Sequence, residues 1–575
     1  MNYMKNIAIL MGCLTVFSFS AHAAELPPGV TEQQGAAGKV LDQQSGLLRN
    51  KQQLFEEKIA KPNNDKAVEG KQVKEGETAK SSGPTFELKS VRFSKSQYLT
   101  QQNLAAVVRP LLATQVNFSD LNKLVLRINQ VYRDNNVFTA TATLPPQKIK
   151  DGVVFIRLVE GSLGKLIIED NHYLSDSFIR QWLRNDEQVQ AIDIRALESD
   201  VLRYNRVNDQ RLQAELHAGT TFGLTDIIIR VDEPKRDQLY LFWDNYGVDS
   251  TGKNELGVLY TRQKVLMDGD RASVHVLHSG QTNLDFNKGW DFFRNETGIK
   301  SLNVGYSSAI LDSGWRLSGS LASTATNIIG GDLDNNSNVE GKSDRISLDS
   351  SYLALSNDLY WLNILLGSSY TWSESSVVKS AKISELKISQ FYTGAQINLL
   401  GSFWQVSLSQ YINYAAIQNL LVDPPYDEVH MFKGDFSAVS RIPHWPVYGL
   451  IASSWQHAAQ EDLAGALTFS TGGSSSVRGY DPGFANGDDG YHYNIEAHYN
   501  GLNAWGQGFD FYVFHDGGKV EGFGTQESLV AVGLGMSVSG TSMLALDVTA
   551  AQAQISNSAG NDDWQVFARL TCQCL

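Results

Sequence analysis

The chain has 575 residues, 19% of them charged, with a formal net charge of −14. That acidic balance, with no strongly basic half, excludes a general nucleic-acid binder. Mean hydropathy is −0.24, and past residue 23 no apolar run reaches the ~20 residues a membrane helix needs, so an exported protein of this sequence is either soluble or crosses a membrane as a barrel.

Lys5 is followed by the apolar run "IAILMGCLTVFSF" at 7–19 and by "AHA" at 21–23. A positive start, a short apolar centre and small residues at a cleavage site predict a secretory signal peptide, 1–23, cut after Ala23. The "LMGC" ending at Cys13 offers a lipoprotein signal as an alternative, which would leave "LTVFSFSAHA" in the mature chain. Cleavage after Ala23 leaves Cys572 and Cys574, too few for a disulfide scaffold. With scattered histidines they compose no metal site, and no cofactor is expected.

Residues 24–60 hold a predicted helix at 36–60, whose thin apolar stripe is Val40, Leu47, Leu48, Leu54, Phe55 and Ile59. Its other faces are polar, which suits a helix surrounded by water or by polar walls. Residues 61–85 lack aromatics up to Pro84, mix charges and read as a flexible linker.

Two units of one design follow. The first, 86–161, runs from the strand "FELKSVRF" through helices in "QQNLAAVVRPLL" and "SDLNKLVLRINQVYRDNN" to the strands "VFTATATL" and "GVVFIRLVEG". The second, 162–235, begins with "GKLIIEDN", continues through helices in "SDSFIRQWLR" and "DIRALESDVLRYNR", and ends with "RLQAELHAG" and "TDIIIRVDEP". Both read β-α-α-β-β, with Asp120 and Ser175 where helix N-caps are expected.

After Pro234 helical periodicity gives way to alternation. In "SGWRLSGSLA", Trp315, Leu317, Gly319 and Leu321 oppose Arg316, Ser318 and Ser320; in "YHYNIEAHYN", Tyr491, Tyr493, Ile495, Ala497 and Tyr499 oppose His492, Asn494, Glu496, His498 and Asn500. Strands of about ten residues, apolar on one face and polar on the other, are the signature of a transmembrane β-barrel. Residues 236–575 supply about sixteen strands at ~21 residues per strand and connection. The polar set His492, Asn494, Glu496, His498 and Asn500 is expected to line the lumen. No phosphate-binding loop, H-E-x-x-H or G-x-S-x-G elbow is present, so no catalytic residues are assigned and an enzyme is not expected.

Between two of these strands lies "GGSSSVRGYDPG", 472–483, which sets one cation in a loop of Gly, Ser and Pro. Its "GGSSSVRGY" (Gly472, Gly473, Ser476, Val477, Arg478, Gly479 and Tyr480 among them) matches the VRG[F/Y] signature of the Omp85 superfamily. The whole mature chain resembles the TpsB transporters of two-partner secretion, a branch of that superfamily. The resemblance implies a plug helix and linker, two periplasmic POTRA domains and a sixteen-stranded outer-membrane barrel. It implies that the loop folds back into the lumen and that its Arg pairs with an Asp on the following strand. The matching segment is "FDFYVFHDGG", 509–518, and the candidate is Asp516. Strand parity agrees: with Phe509, Phe511 and Val513 towards lipid, Asp510, Tyr512, Phe514 and Asp516 face inward, where a carboxylate is cheaper to place.

The implied function is ATP-free export of an unfolded exoprotein received by the POTRA domains through strand addition; an outer-membrane assembly factor is the alternative. The implied partners are that exoprotein, outer-membrane lipid and the barrel-assembly machinery that inserts a monomeric barrel. Two features depart from the pattern. In the last strand, "WQVFARLTCQCL", Leu575 is out of phase and no terminal Phe is present. Cys572 and Cys574 share one face of that strand at a spacing, ~6.6–6.8 Å, that disfavours a disulfide.

Overall fold

The structure is a computed structural model. It describes residues 68–70 and 85–575 apart from 97, 136, 138–139, 161, 184–193, 219–223, 248–250, 281–297, 311, 329–338, 378–381, 422–425, 541–542 and 556–563. The expected signal peptide and the helix at 36–60 lie outside the described residues. Within the expected linker, residues Val68–Gly70 form a strand, β1.

In the first unit the expected strand at 86–93 is split. β2 (Phe86–Glu87) pairs with β4 (Gln115–Val116), while β3 (Ser90–Phe93) joins a three-stranded sheet, because Leu88 between them turns into the core, fully buried. Two helices follow: α1 (Gln101–Val108) and α2 (Phe118–Asp134). The cap of α2 is Asn117, not Asp120. Asn117 Oδ1 accepts from Asp120 N at 3.0 Å and Asp120 Oδ2 accepts from Asn117 N at 3.1 Å, so the pair satisfies two orphan donors and the helix starts three residues earlier than expected. Leu121, Leu124, Ile128 and Tyr132 then form one buried helical stripe. It packs on the sheet β3-β6-β5, where β5 is Ala140–Thr143 and β6 is Val153–Glu160. Burying each such side chain stabilises by roughly 1.5–3 kcal/mol.

The second unit repeats the order: β7 (Ser162–Glu169), α3 (Asp176–Gln181), α4 (Ile194–Val207), β8 (Arg211–Ala218) and β9 (Leu224–Asp232). Here Ser175 caps α3 as expected, accepting from Phe178 N. The edge of β8 is occupied: β1 lies parallel to it, giving a sheet of order β1-β8-β9-β7.

Among the described residues sixteen antiparallel strands close into one barrel. The first eight are β10 (Asp237–Asp244), β11 (Asn254–Gln263), β12 (Asp270–Gly280), β13 (Gly298–Ile310), β14 (Trp315–Ile328), β15 (Val339–Ser356), β16 (Tyr360–Val377) and β17 (Lys382–Leu400). The chain continues as β18 (Trp404–Asn419), β19 (Glu428–Arg441) and β20 (Val447–Ala458), then leaves the wall. After a hairpin, β21 (Phe469–Thr471) and β22 (Ala485–Gly487), it returns as β23 (Asp489–Ala504), β24 (Gln507–Gly522), β25 (Thr525–Gly540), β26 (Leu544–Ala553) and β27 (Trp564–Gln573). Alternation decides the faces: Leu317, Leu321, Phe511 and Val513 are exposed on the outside, whereas Tyr512, Phe514 and Asp516 are buried inside. The wall closes where β27 pairs with β10, from Tyr240↔Gln573 to Asp244↔Arg569. Cys572 and Cys574 are free thiols on β27 and just beyond it.

The second unit is seated on the barrel rim. Asp209 lies 3.4 Å from Arg271 and 3.3 Å from Arg316, and Arg316 also donates to Val207 O at 3.0 Å. Ala309 and Leu353 of the barrel join the core of that unit, and the Arg206 guanidinium lies 3.5 Å from the Trp361 ring centre. Burial opposes the charge on Asp209, but Arg271 and Arg316 outweigh it and hold this carboxyl below its ordinary range.

Candidate functional site: a loop anchored in the barrel lumen

Residues 459–488, between β20 and β23, turn back into the barrel. The glycines of the tip are needed where they stand: Gly472, Gly473 and Gly479 have φ of +109°, +93° and +91°. A Cβ on Gly472 would lie 2.5 Å from Asp481 O. Ser476 closes the turn, accepting from Gly472 N at 2.8 Å and donating to Gly472 O at 2.9 Å. Val477 and Tyr480 are buried in an apolar cluster with Val520, Leu529, Ala531 and Ala553. The Tyr480 hydroxyl, 3.1 Å from Val530 O and 2.9 Å from Ile555 O, ties the tip to the backbone of β25 and of the segment just past β26.

Arg478 is 7% exposed and Asp516 fully buried. Arg478 Nε donates to Asp516 Oδ2 at 2.7 Å and Nη2 to Oδ1 at 2.8 Å, a bidentate fork. The Arg478 backbone N donates to the same carboxylate at 3.1 Å. Nη2 also meets Glu496 Oε1 at 2.7 Å, and the guanidinium carbon stands 3.6 Å from the Phe514 ring centre. Burial works against the charge on Arg478, and the Asp516 and Glu496 carboxylates overcome it, holding the guanidinium charged. Asn494 Nδ2 donates to Asp516 Oδ1 at 2.8 Å and to Ser476 O, so the wall grips the loop beside the ion pair. Such a pair differs from a surface salt bridge, worth about 0–1 kcal/mol, because removing one partner strands a buried charge.

Of the five lumen candidates, Asn494, Glu496 and His498 join this network, and His492 packs by Phe469 with ring centres 5.6 Å apart. Asn500 does not join the network. The β23–β24 register slips between Tyr499 and Leu502, and Asn500 is exposed in that bulge, its N donating to Pro446 O at 2.9 Å. Alternation alone does not register a bulge.

The root of the loop carries a second fastening that sequence reasoning missed. Leu463, Ala466 and Leu467 are buried against Leu386, Ile388, Ala415, Ile417, Val429 and Met431 of β17 to β19. The outer part of that wall is thus apolar inside, which departs from the polar lining expected of a barrel lumen. Tyr426 OH donates to Asp462 O at 2.7 Å and accepts from Ala464 N at 3.0 Å. Asp488 accepts from Asp462 N and Leu463 N, each at 2.8 Å, and burial pushes its carboxyl up to about 6. The "GDDG" at 487–490 carried no periodic signal that could reveal this role.

A closed barrel with periplasmic α+β units and a charged loop drawn into its lumen defines an outer-membrane transporter of the Omp85 type. The comparisons place it within that class. Residues 223–540 match the family described as haemolysin secretion/activation protein ShlB/FhaC/HecB, and residues 86–161 match the POTRA domain of ShlB type. The chain belongs to that family, the TpsB outer-membrane transporters of two-partner secretion. It is 24% identical over 501 residues to the heme/hemopexin transporter protein HuxB of Haemophilus influenzae (strain 86-028NP), covering 82% of this chain and 84% of the relative. The outer membrane transporter CdiB of Dickeya dadantii (strain 3937) is 23% identical over 275 residues, 47% of this chain and 46% of that protein. The solved structure of CdiB from Escherichia coli superposes with a TM-score of 0.68 at 17% identity, covering 96% of this chain and 100% of that one, a likeness of fold.

Proposed function

We propose that this chain receives one unfolded exoprotein in the periplasm through its α+β units and exports it through the barrel without ATP. The second unit, 162–235, acts in this reading as a second POTRA domain. The observation that carries the proposal is the anchored loop. A segment that occupies the lumen and is held there by side-chain contacts, with the bidentate Arg478–Asp516 pair at their centre, can be withdrawn without breaking the hydrogen-bonded wall, so the same barrel can be shut at rest and open in transit. The β1–β8 pairing supports the receiving step, because it shows the edge of the second unit taking an extended strand through its backbone. With no phosphate-binding loop in the sequence, the driving force in this reading is folding of the cargo outside the cell. Two further elements are insertion as a monomer by the barrel-assembly machinery and plugging of the resting pore by the helix at 36–60.

The test is co-expression of the chain with the exported protein encoded beside it, measuring that protein in the medium. Export that needs this chain, with other outer-membrane barrels unchanged, supports the reading. Loss of all outer-membrane barrels on its depletion would instead make it an assembly factor.

A further inference from the structure

The network around Arg478 continues past the carboxylates that hold it. Glu496 turns one oxygen to Arg478 and the other, Oε2, to His498 Nε2 at 2.8 Å. The second ring nitrogen, Nδ1, lies 3.1 Å from Asp510 Oδ1, and Asp510 Oδ2 accepts from Tyr448 OH. The imidazole is 3% exposed and lies between two stacked rings, Tyr448 with centres 4.3 Å apart and Tyr512 at 4.9 Å. It is therefore held in plane with a carboxylate on each nitrogen.

That placement makes the proton count decisive. A neutral imidazole has one N–H and one lone pair, so one of the two carboxylates must face the lone pair; an imidazolium donates to both. The titratable and charged groups facing the ring are Glu496 on its own strand, Asp510 and Tyr512 from β24 and Tyr448 from β20. Arg478 of the loop stands behind Glu496, while Arg441 and Asp547 act at longer range on Tyr448 and Tyr512. With the ring charged, the signs alternate from Asp516 through Arg478, Glu496 and His498 to Asp510.

We propose that His498 is the positioning residue of the loop anchor: carrying two protons it keeps Glu496 on Arg478, and on giving one proton to lumen water it lets Glu496 go and slackens the loop tip. The inference rests on the reading of Arg478 as the anchor of the loop. Exported cargo entering the lumen with its own charges would act on the same ring.

The experiment uses the full chain with Cys13, Cys572 and Cys574 changed to Ser, Asp488 changed to Asn so that the loop root does not titrate, and a nitroxide on a cysteine replacing exposed Ser475, folded into lipid vesicles. Label mobility is followed by electron paramagnetic resonance from pH 5 to 9, with heat-modifiable gel migration as the folding control. The mobile fraction should rise about tenfold with pH in a single-site titration, the size expected for losing one charge-assisted hydrogen bond. His498→Gln should be mobile and flat across the range, and His498→Lys, which keeps a charge, should be flat and held. Should His498→Gln fail to fold, Asp510→Asn should move the titration to lower pH. A parent titration that survives in His498→Gln overturns the inference, as does a parent with no titration while Arg478→Ala mobilises the label. Arg478→Ala leaving the label held would instead overturn the anchor reading itself.

Discussion

Replacing Asp516 by alanine removes two side-chain hydrogen bonds and the backbone contact of Arg478, and leaves a guanidinium that is 7% exposed facing Glu496 and the rings of Phe514 and Tyr512. Breaking a buried pair by deleting one partner costs about 3–5 kcal/mol. Because Glu496 stays at 2.7 Å, the lower end applies, ~3 kcal/mol, or about a hundredfold in the population of the released loop. Arg478→Ala should cost at least as much, since it also loses the stacking on Phe514 and strands two carboxylates. The double variant should exceed the larger single effect by little, because each substitution removes the partner that the other strands. The assay is hydrogen exchange of peptides spanning 472–483 in the folded barrel, which reports local opening free energy. Single variants that speed exchange less than tenfold, or that add in the double variant, would refute the reasoning.

Three further outcomes follow from the geometry. A carboxyl raised to about 6 favours its protonated form in the closed state, so acidification from above pH 6 towards 4 should tighten the loop root at Asp488, and the gain should be lost as pH rises through about 6. The gain is at most ~3 kcal/mol, and a probe on a cysteine replacing exposed Glu461 should report it and lose the pH dependence in Asp488→Asn. Gly479→Ala places a methyl 3.0 Å from Ala553 N at a φ of +91°, and should weaken protection of the loop tip by about 1–3 kcal/mol in the same exchange assay. Asp209→Ala removes the carboxylate that Arg271 and Arg316 share on the rim, and amide exchange at 207–210 should quicken by about tenfold or more if that carboxylate seats the second unit.

Much of this architecture could be read from the sequence, for a physical reason. A strand between lipid and a lumen must alternate, so Leu317, Leu321, Phe511 and Val513 betray the outer face, and parity alone directs Asp516 inward. What escaped lacks a period. The three residues of β1 are too few to show one, and the break at Leu88 splits what reads as one strand. The bulge at Asn500 is a one-position slip that only pairing partners reveal. The cap at Asn117 hid because Asn117 and Asp120 serve each other, and either could be taken as the first. At the site, the sequence supplied the loop and its inward carboxylate but not the ring of Phe514 beneath the guanidinium. Nor did it show the Glu496–His498–Asp510 series, whose members come from two strands, or the apolar root over β17 to β19.

The most direct test of the central claim is export by Arg478→Ala. Cells carrying the chain and its exported partner are compared with cells carrying the variant, after heat-modifiable migration has shown equal amounts of folded barrel in the outer membrane. The account predicts a folded barrel and loss of most of the partner from the medium. Full export through a folded Arg478→Ala barrel would contradict it.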